Sequence, residues 1–229
     1  MKHRANYREV VQYELMLGRE ATDRLREQPL AFLPIGCMER HGDHLPMGLD
    51  IIKAHRICCL AAQVIGGVVF PAHFYGGIHR LKPEVHQRVT SQFGDLFTDA
   101  SAKAHLLDII GQLAIIGVKV LVLYSGHYPV SQVEMIREIA EEVNGSGPLT
   151  VIPFAENMLW KGDHAGVSET SLMLYLDRNL VDMTRIAEVN YRNHGWEGEN
   201  DPLKASAARG EAEVEQVIDY LKSEIEKVL

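Results

Sequence analysis

The sequence predicts an α/β fold in which helices cover both faces of a mostly parallel central sheet, a layered α/β/α arrangement. Short apolar runs rich in β-branched residues recur along the chain, each of the length of a buried strand. Longer segments with apolar residues at helical spacing lie between them. Because strands that alternate with helices need crossover connections, this order favours parallel strands with helices packed on both sides.

The elements follow one another along the chain in that alternating order. The predicted strands are residues 30–35, 68–74, 118–124 and 149–154. The predicted helices are residues 50–65, 95–117, 131–143, 168–180 and 211–229. In the first of these helices Asp50 stands at the start, and Gly66 and Gly67 mark the stop.

Composition predicts one domain, residues 1–229, because 46% of the 229 residues are apolar and can bury a substantial core. No repeat, low-complexity tract or linker divides the chain.

The net charge of -8 opposes phosphate backbones and anionic lipid surfaces, so nucleic acid is not an expected partner. Residues 1–8 are polar and no long apolar run follows, so we expect neither a signal peptide nor a membrane span, and a cytoplasmic location.

Three cysteines occur, an odd number without a Cys-x-x-Cys pair. This pattern argues against a disulfide framework or a thiolate zinc site. We therefore expect Cys37, Cys58 and Cys59 to be small buried side chains.

Polar residues cluster directly after three of the predicted strands. In order along the chain, the candidates are Glu39, His41, His44, Asp50, His127, Tyr128, Trp160, His164 and Glu169. Ligands of open parallel sheets bind at the carboxyl ends of the strands, so these residues are expected to meet at one edge of the sheet.

Carboxylates and neutral imidazoles together suit zinc, manganese or iron(II) better than calcium or magnesium. Asp50 could bridge two cations through its two oxygens, and such a pair lowers the pKa of water and polarises a carbonyl, which is the equipment for amide hydrolysis. The alternative is a solvated polar loop, with Gly42, Pro46 and Gly48 as ordinary loop residues. The remaining histidines are expected at the surface or in structural hydrogen bonds: His3, His55, His73, His79, His86, His105 and His194.

Three motifs in order resemble those of the creatininase (creatinine amidohydrolase) family. The stretch LPIGCMERHGDHLP, residues 33–46, followed by Asp50, resembles its signature. Gly126-His127 after an apolar strand is similar to the second motif, and His164-Ala165-Gly166 leading into Glu169-Thr170-Ser171 to the third. Weaker similarity reaches both termini.

The resemblance implies a metal-dependent amidohydrolase, commonly dinuclear, on a layered α/β fold that assembles into homo-oligomers, often hexamers. It implies that Glu39, Asp50 and His127 bind one metal, and that His41 and the bridging Asp50 bind the other. In creatininase itself a glutamate two places after the strand-end histidine completes the second site, but this chain has Pro129 there. Glu169 is the candidate replacement, although an acid in the first turn of a helix is also common for structural reasons.

Further roles are implied for residues near the metal loop. His164 resembles the family histidine thought to shuttle a proton, with fixing the loop as its alternative role. Trp160 is a candidate aromatic lid over the substrate, with packing as its alternative. His44 would support the metal loop or contact substrate, and Tyr128 is a further candidate for contacting substrate.

The segment at residues 79–90 lacks the Phe-Pro-Gly-Thr that many family members carry in the substrate pocket. The metal chemistry is unaffected, but creatinine itself is in doubt as the substrate. We therefore expect hydrolysis of a C–N bond of a small cyclic amide or formamide, with two Zn, Mn or Fe ions per chain. The alternatives are a deformylase or peptide-trimming step in cofactor biosynthesis, and a binding or regulatory protein that retains the fold.

Overall fold

Four parallel strands form the centre of the computed structural model, which describes residues 11–98, 101–188 and 198–229. The strands are β1 (Leu30–Ile35), β2 (Val68–Val69), β3 (Val120–Ser125) and β4 (Thr150–Ala155), in the spatial order β2-β1-β3-β4. All three ladders are parallel, with β1 paired to β3 over its full length. The predicted α/β class with a parallel sheet is confirmed.

Helices cover both faces of this sheet. They are α1 (Gly18–Glu27), α2 (Leu49–Ile65), α3 (Pro83–Phe93), α4 (Ala102–Ile115), α5 (Val130–Ser146), α6 (Val167–Leu176) and α7 (Ala207–Glu226). On one face Phe32 and Val122 pack with α2, α6 and α7, and on the other Leu33 and Leu121 pack with α4 and α5. Successive strand residues point to opposite faces, so a fully buried strand must be apolar throughout.

The predicted β2 is too long. The strand contains only Val68 and Val69, and His73 returns to β1 through a single bridge to Ile35. Pro71 lies between, and a proline has no amide hydrogen to donate to a ladder. The apolar run 68–74 is therefore mostly irregular chain.

The predicted helix 95–117 begins too early, since α4 starts at Ala102. The Asp95 carboxylate instead accepts a hydrogen bond from the backbone of Arg40, at 2.8 Å, and Leu96 forms an antiparallel bridge with Met38. These contacts tie the chain to the loop that follows β1.

The helix α6 ends at Leu176, short of the predicted residue 180, because a separate 3-10 turn begins after Asp177.

The three cysteines are buried and free, as expected. Within the part of the chain that the structure describes, no helix combines the length and apolar character needed to cross a membrane. Residues 1–8, His3 and His194 lie outside the described residues.

One glycine fixes how α2 meets the sheet. Gly126 follows β3, and a Cβ added there would overlap the backbone carbonyl of Asp50. Only a glycine allows the first turn of α2 to approach the end of β3 so closely. This approach places Asp50 beside His127, although the two are far apart in sequence.

Candidate metal centre

Five of the sequence-predicted residues converge at the carboxyl edge of the sheet. Glu39 and His41 lie on the loop after β1, Asp50 in the first turn of α2, His127 after β3 and Glu169 in the first turn of α6. All five are buried. Their ligand atoms fall into two groups that share Asp50, one with Glu39, His127 and Cys37, the other with His41 and Glu169.

The first group is centred on His127. Its Nδ1 lies 3.1 Å from Oε1 of Glu39 and 3.1 Å from Oδ2 of Asp50. Its Nε2 lies 3.1 Å from the backbone oxygen of Ile78, which can only accept a hydrogen bond, so Nε2 carries the ring proton. Loss of the Nδ1 proton would leave a lone pair that points toward the two carboxylates, as in a metal-ligating histidine held by a carbonyl.

The second group is centred on His41, whose ring is oriented in the same way. Its Nδ1 lies 3.0 Å from the backbone oxygen of Glu39, which leaves Nε2 for the site. Nε2 lies 3.3 Å from Oδ1 of Asp50, 3.6 Å from Oε2 of Glu169 and 3.6 Å from Oε1 of Glu39. Among the described residues, this buried nitrogen has no hydrogen-bond partner.

The electrostatics of the cluster favour positive charge at both imidazoles. Burial by itself lowers the pKa of His41, but the carboxylates of Asp50 and Glu169 outweigh it and raise that pKa to about 9. Burial likewise opposes the charged form of His127, but hydrogen bonds that its ring donates to the carboxylates of Asp50 and Glu39 raise its pKa to about 10. Protons and divalent cations compete for such nitrogens, so the donor set fits a divalent metal.

The cluster opens into a cavity of about 320 Å³. Its lining includes Glu39, Asp50, His79, His127, Tyr128 and His164. That volume is at the lower end of the range for small-molecule sites. His79 was expected at the surface or in a structural hydrogen bond. Its ring also borders the cavity and lies 5.9 Å from the ring of His127.

His164 stands at the rim of this cavity, with 45% of its side chain exposed. Its Nδ1 lies 3.7 Å from Oε1 of Glu39, and its ring lies 4.5 Å from that of His41. Its Nε2 contacts the backbone oxygen of Arg40 at 3.0 Å, as a loop-fixing role requires. The next residue, Ala165, has a φ of +56°, a left-handed conformation that costs a non-glycine residue about 1–2 kcal/mol. Such strain is typical of functional sites.

Tyr128 lies within the cavity lining, as a residue that contacts substrate must. Its hydroxyl contacts Oε1 of Glu169 at 2.9 Å and the backbone oxygen of Asp163 at 2.7 Å. The Asp163 carboxylate in turn accepts hydrogen bonds from the backbone of Ser168 and Glu169 at the start of α6. Tyr128 and Asp163 thus join the cavity wall to the helix that carries Glu169.

Two predicted substrate contacts lie outside the cavity lining. The indole Nε1 of Trp160 donates to Ser168 at 3.1 Å, and its ring packs against the apolar core, which fits the packing alternative. His44 is buried, with Nε2 3.0 Å from the hydroxyl of Thr170, which fits support of the metal loop. A lid role for Trp160 and a substrate contact for His44 stay predictions.

The sequence analysis missed Lys53, which is fully buried behind Glu169. Its Nζ lies 2.6 Å from Oε1 of Glu169 and 3.6 Å from Oε1 of Glu156. One signal was present, because a lysine three residues after Asp50 lies on the same face of the helix as that carboxylate. Glu156 follows directly after β4.

The fold and this cluster define a class of protein, a layered α/β protein with a candidate divalent-metal site at the carboxyl edge of its parallel sheet. The family model described as creatinine amidohydrolase matches residues 14–225. A creatinine amidohydrolase from Pseudomonas putida is 32% identical over 179 residues, covering 68% of this chain and 67% of the relative.

Solved structures agree with this match. A crystal structure of creatinine amidohydrolase (creatininase) is 25% identical and superposes with a TM-score of 0.74, covering 96% of this chain and 98% of that one. A mutant creatininase described as of Zn–Zn type is also 25% identical, with a TM-score of 0.71 and the same coverage. The chain belongs to the creatininase family, and with it to the metal-dependent hydrolases that act on non-peptide C–N bonds.

Proposed function

We propose that this protein hydrolyses a C–N bond of a small cyclic amide or formamide with two divalent cations per chain. The first cation would be held by Glu39, Asp50 and His127, and the second by His41, Asp50 and Glu169. One observation carries this proposal. The two oxygens of Asp50 face different imidazoles, with Oδ2 3.1 Å from His127 and Oδ1 3.3 Å from His41.

A pair of cations at these positions supplies a water of lowered pKa and a Lewis acid for the amide carbonyl. Zinc, manganese and iron(II) all suit this mixture of oxygen and nitrogen ligands. The protein contributes by holding the ligand side chains in fixed orientations. The carbonyls of Ile78 and Glu39 hold the two imidazoles with their free nitrogens toward the carboxylates, and Glu169 contributes Oε2.

His164 is placed to move the proton that amide cleavage requires. It borders both the cavity and Glu39, and its partial exposure leaves it in contact with solvent. In the proposed reaction its imidazole carries a proton to the departing nitrogen, because an amine leaves more readily as a neutral group than as an anion.

The cavity itself supports a small polar substrate. The relatives compared above are named for creatinine, a small cyclic amide. Here the segment 79–90 departs from the usual family pattern, and its His79 borders the cavity. We therefore propose the amide or formamide class and expect a preference different from that of creatininase.

Removal and return of metal tests this function. The protein should lose its activity when a chelator removes the metal. On reloading with Zn²⁺ or Mn²⁺ it should bind about two ions per chain, and the loaded protein should melt at a higher temperature than the metal-free protein. Each ion present at 100 times its dissociation constant stabilises the fold by about 2.7 kcal/mol.

The reloaded protein should then hydrolyse at least one member of a panel of creatinine, other small cyclic amides, N-formyl amines and short peptides. Turnover of short peptides alone would indicate the peptide-trimming alternative, whereas turnover of N-formyl amines alone would narrow the proposed class to formamides. If no metal bound and the melting temperature did not change, the chain would be a binding or regulatory protein.

A further inference from the structure

A buried ionic network lies behind the proposed second cation site. Lys53 is 0% exposed, and its ammonium stands between the carboxylates of Glu169 and Glu156, at 2.6 Å and 3.6 Å. Its Nζ also lies 4.5 Å from the centre of the Tyr128 ring. Burial of an ammonium costs several kcal/mol unless close partners compensate it. Nonpolar residues of similar volume could be buried here at a lower cost in free energy. The network is therefore better explained by a functional role than by stability.

The two oxygens of Glu169 are used differently. Oε1 accepts from Lys53 and, at 2.9 Å, from the hydroxyl of Tyr128, whose proton it shares with the backbone oxygen of Asp163. We call these two donors the Oε1 clamp. Oε2 accepts from the backbone of Ala165 at 2.7 Å and faces Nε2 of His41 at 3.6 Å. A carboxylate held at Oε1 by two donors cannot rotate freely, and it presents a single oxygen to the cluster.

Glu156 anchors the ammonium from the opposite side. It is buried, and its Oε1 accepts from the hydroxyl of Tyr124 at 3.0 Å. Among the described residues its Oε2 has no hydrogen-bond partner. Burial and the nearby Glu169 raise the pKa of Glu156 to about 7, while Lys53 acts in the opposite direction. Lys53 is thus fixed between two carboxylates, and only Glu169 extends into the cluster.

We propose that Lys53 is a positioning residue that makes Glu169 a one-oxygen ligand of the second cation. This inference rests on the proposed two-metal function. The ammonium occupies Oε1 and directs Oε2 toward His41. The first cation site has no such dependence, because Glu39 and His127 contact neither Lys53 nor Tyr128 through any hydrogen bond or ion pair among the described residues. Loss of the clamp should therefore affect the second cation selectively.

The test compares Lys53→Met combined with Glu156→Gln, which keeps the buried charge balanced, with the wild type. Each protein is reloaded with Mn²⁺ and studied by electron paramagnetic resonance and metal analysis. The wild type should hold two ions and show an exchange-coupled pair. The double variant should keep one ion, with second-site affinity lower by about 10- to 100-fold, the range found when partners of metal ligands are removed.

Two controls isolate the effect. Glu156→Gln alone keeps an oxygen acceptor for Lys53 and should still hold two ions. Lys103→Met removes a surface lysine that pairs with Glu138, and it should behave as the wild type. A folded double variant with wild-type affinity for the second ion, or a higher one, would overturn the inference.

Tyr128→Phe removes the other half of the clamp and provides a test if the double variant does not fold. It should weaken the second ion by about 3- to 10-fold and leave the first unchanged, because one hydrogen bond to Oε1 is lost while Lys53 still holds that oxygen. Unchanged second-site affinity in this variant would also overturn the inference. A wild-type protein that binds fewer than two ions would instead contradict the proposed function, and the inference with it.

Discussion

Replacement of Asp50 by asparagine should remove both metal ions and lower turnover by at least about 10³-fold, because Lewis-acid stabilisation of the transition state contributes several kcal/mol. The side chain keeps its size, so the packing of α2 against Gly126 is retained. What changes is the charge that both imidazoles face, at 3.1 Å from His127 and 3.3 Å from His41. A neutral amide cannot bridge two cations as a carboxylate does.

Metal analysis and isothermal titration with Zn²⁺ check this prediction, with Asp50→Ala as a second variant. Asp43→Asn is the matched control, because Asp43 lies on the same loop but pairs with Arg40 at the surface. The control should bind and turn over normally. Either ion retained at wild-type affinity in Asp50→Asn would exclude the bridging role.

Replacement of His164 by alanine should lower kcat by about 10²- to 10⁴-fold while both ions remain bound, since general acid–base catalysis contributes about that much. The side chain stands at the cavity rim, with Nδ1 3.7 Å from Glu39. Its loss removes the group that delivers the proton but leaves all five proposed ligands in place.

Steady-state kinetics together with metal content separate the two roles proposed for His164. His105→Ala serves as control, because His105 is exposed on α4 and pairs with His73 away from the cluster. Loss of metal and of thermal stability together with activity would indicate that His164 mainly fixes the loop through Arg40. Unchanged kcat would exclude a proton-transfer role.

Most of the architecture could be predicted from apolar patterning. The run 30–35 coincides with β1 because every residue of a fully buried parallel strand is apolar. The convergence of Glu39, Asp50 and His127 could also be anticipated, since the carboxyl ends of parallel strands share one edge. The position of Gly66 as the end of α2 was equally readable, because glycine readily adopts its φ of +100°.

Other features depend on contacts that no local pattern reveals. Helix α3 has apolar residues only at Val85, Val89 and Phe93 and no buried residue, so its stripe is too narrow to stand out as a core-facing helix. Lys53 is buried on α2, and its partner Glu169 is 116 residues away along the chain. Motif position leaves both a lid role and packing open for Trp160, and its indole hydrogen bond to Ser168 depends on where α6 packs. Long-range pairing of this kind becomes visible only in the folded chain.

Anomalous diffraction from crystals grown with Zn²⁺ or Mn²⁺ tests the central claim most directly, that loops from separate strands share cations through Asp50. Two peaks about 3.5–4 Å apart are expected, one beside Glu39 and His127, the other beside His41 and Glu169, with the Asp50 carboxylate between them. A single peak that Asp50 does not touch, or no peak at the sheet edge, would contradict it.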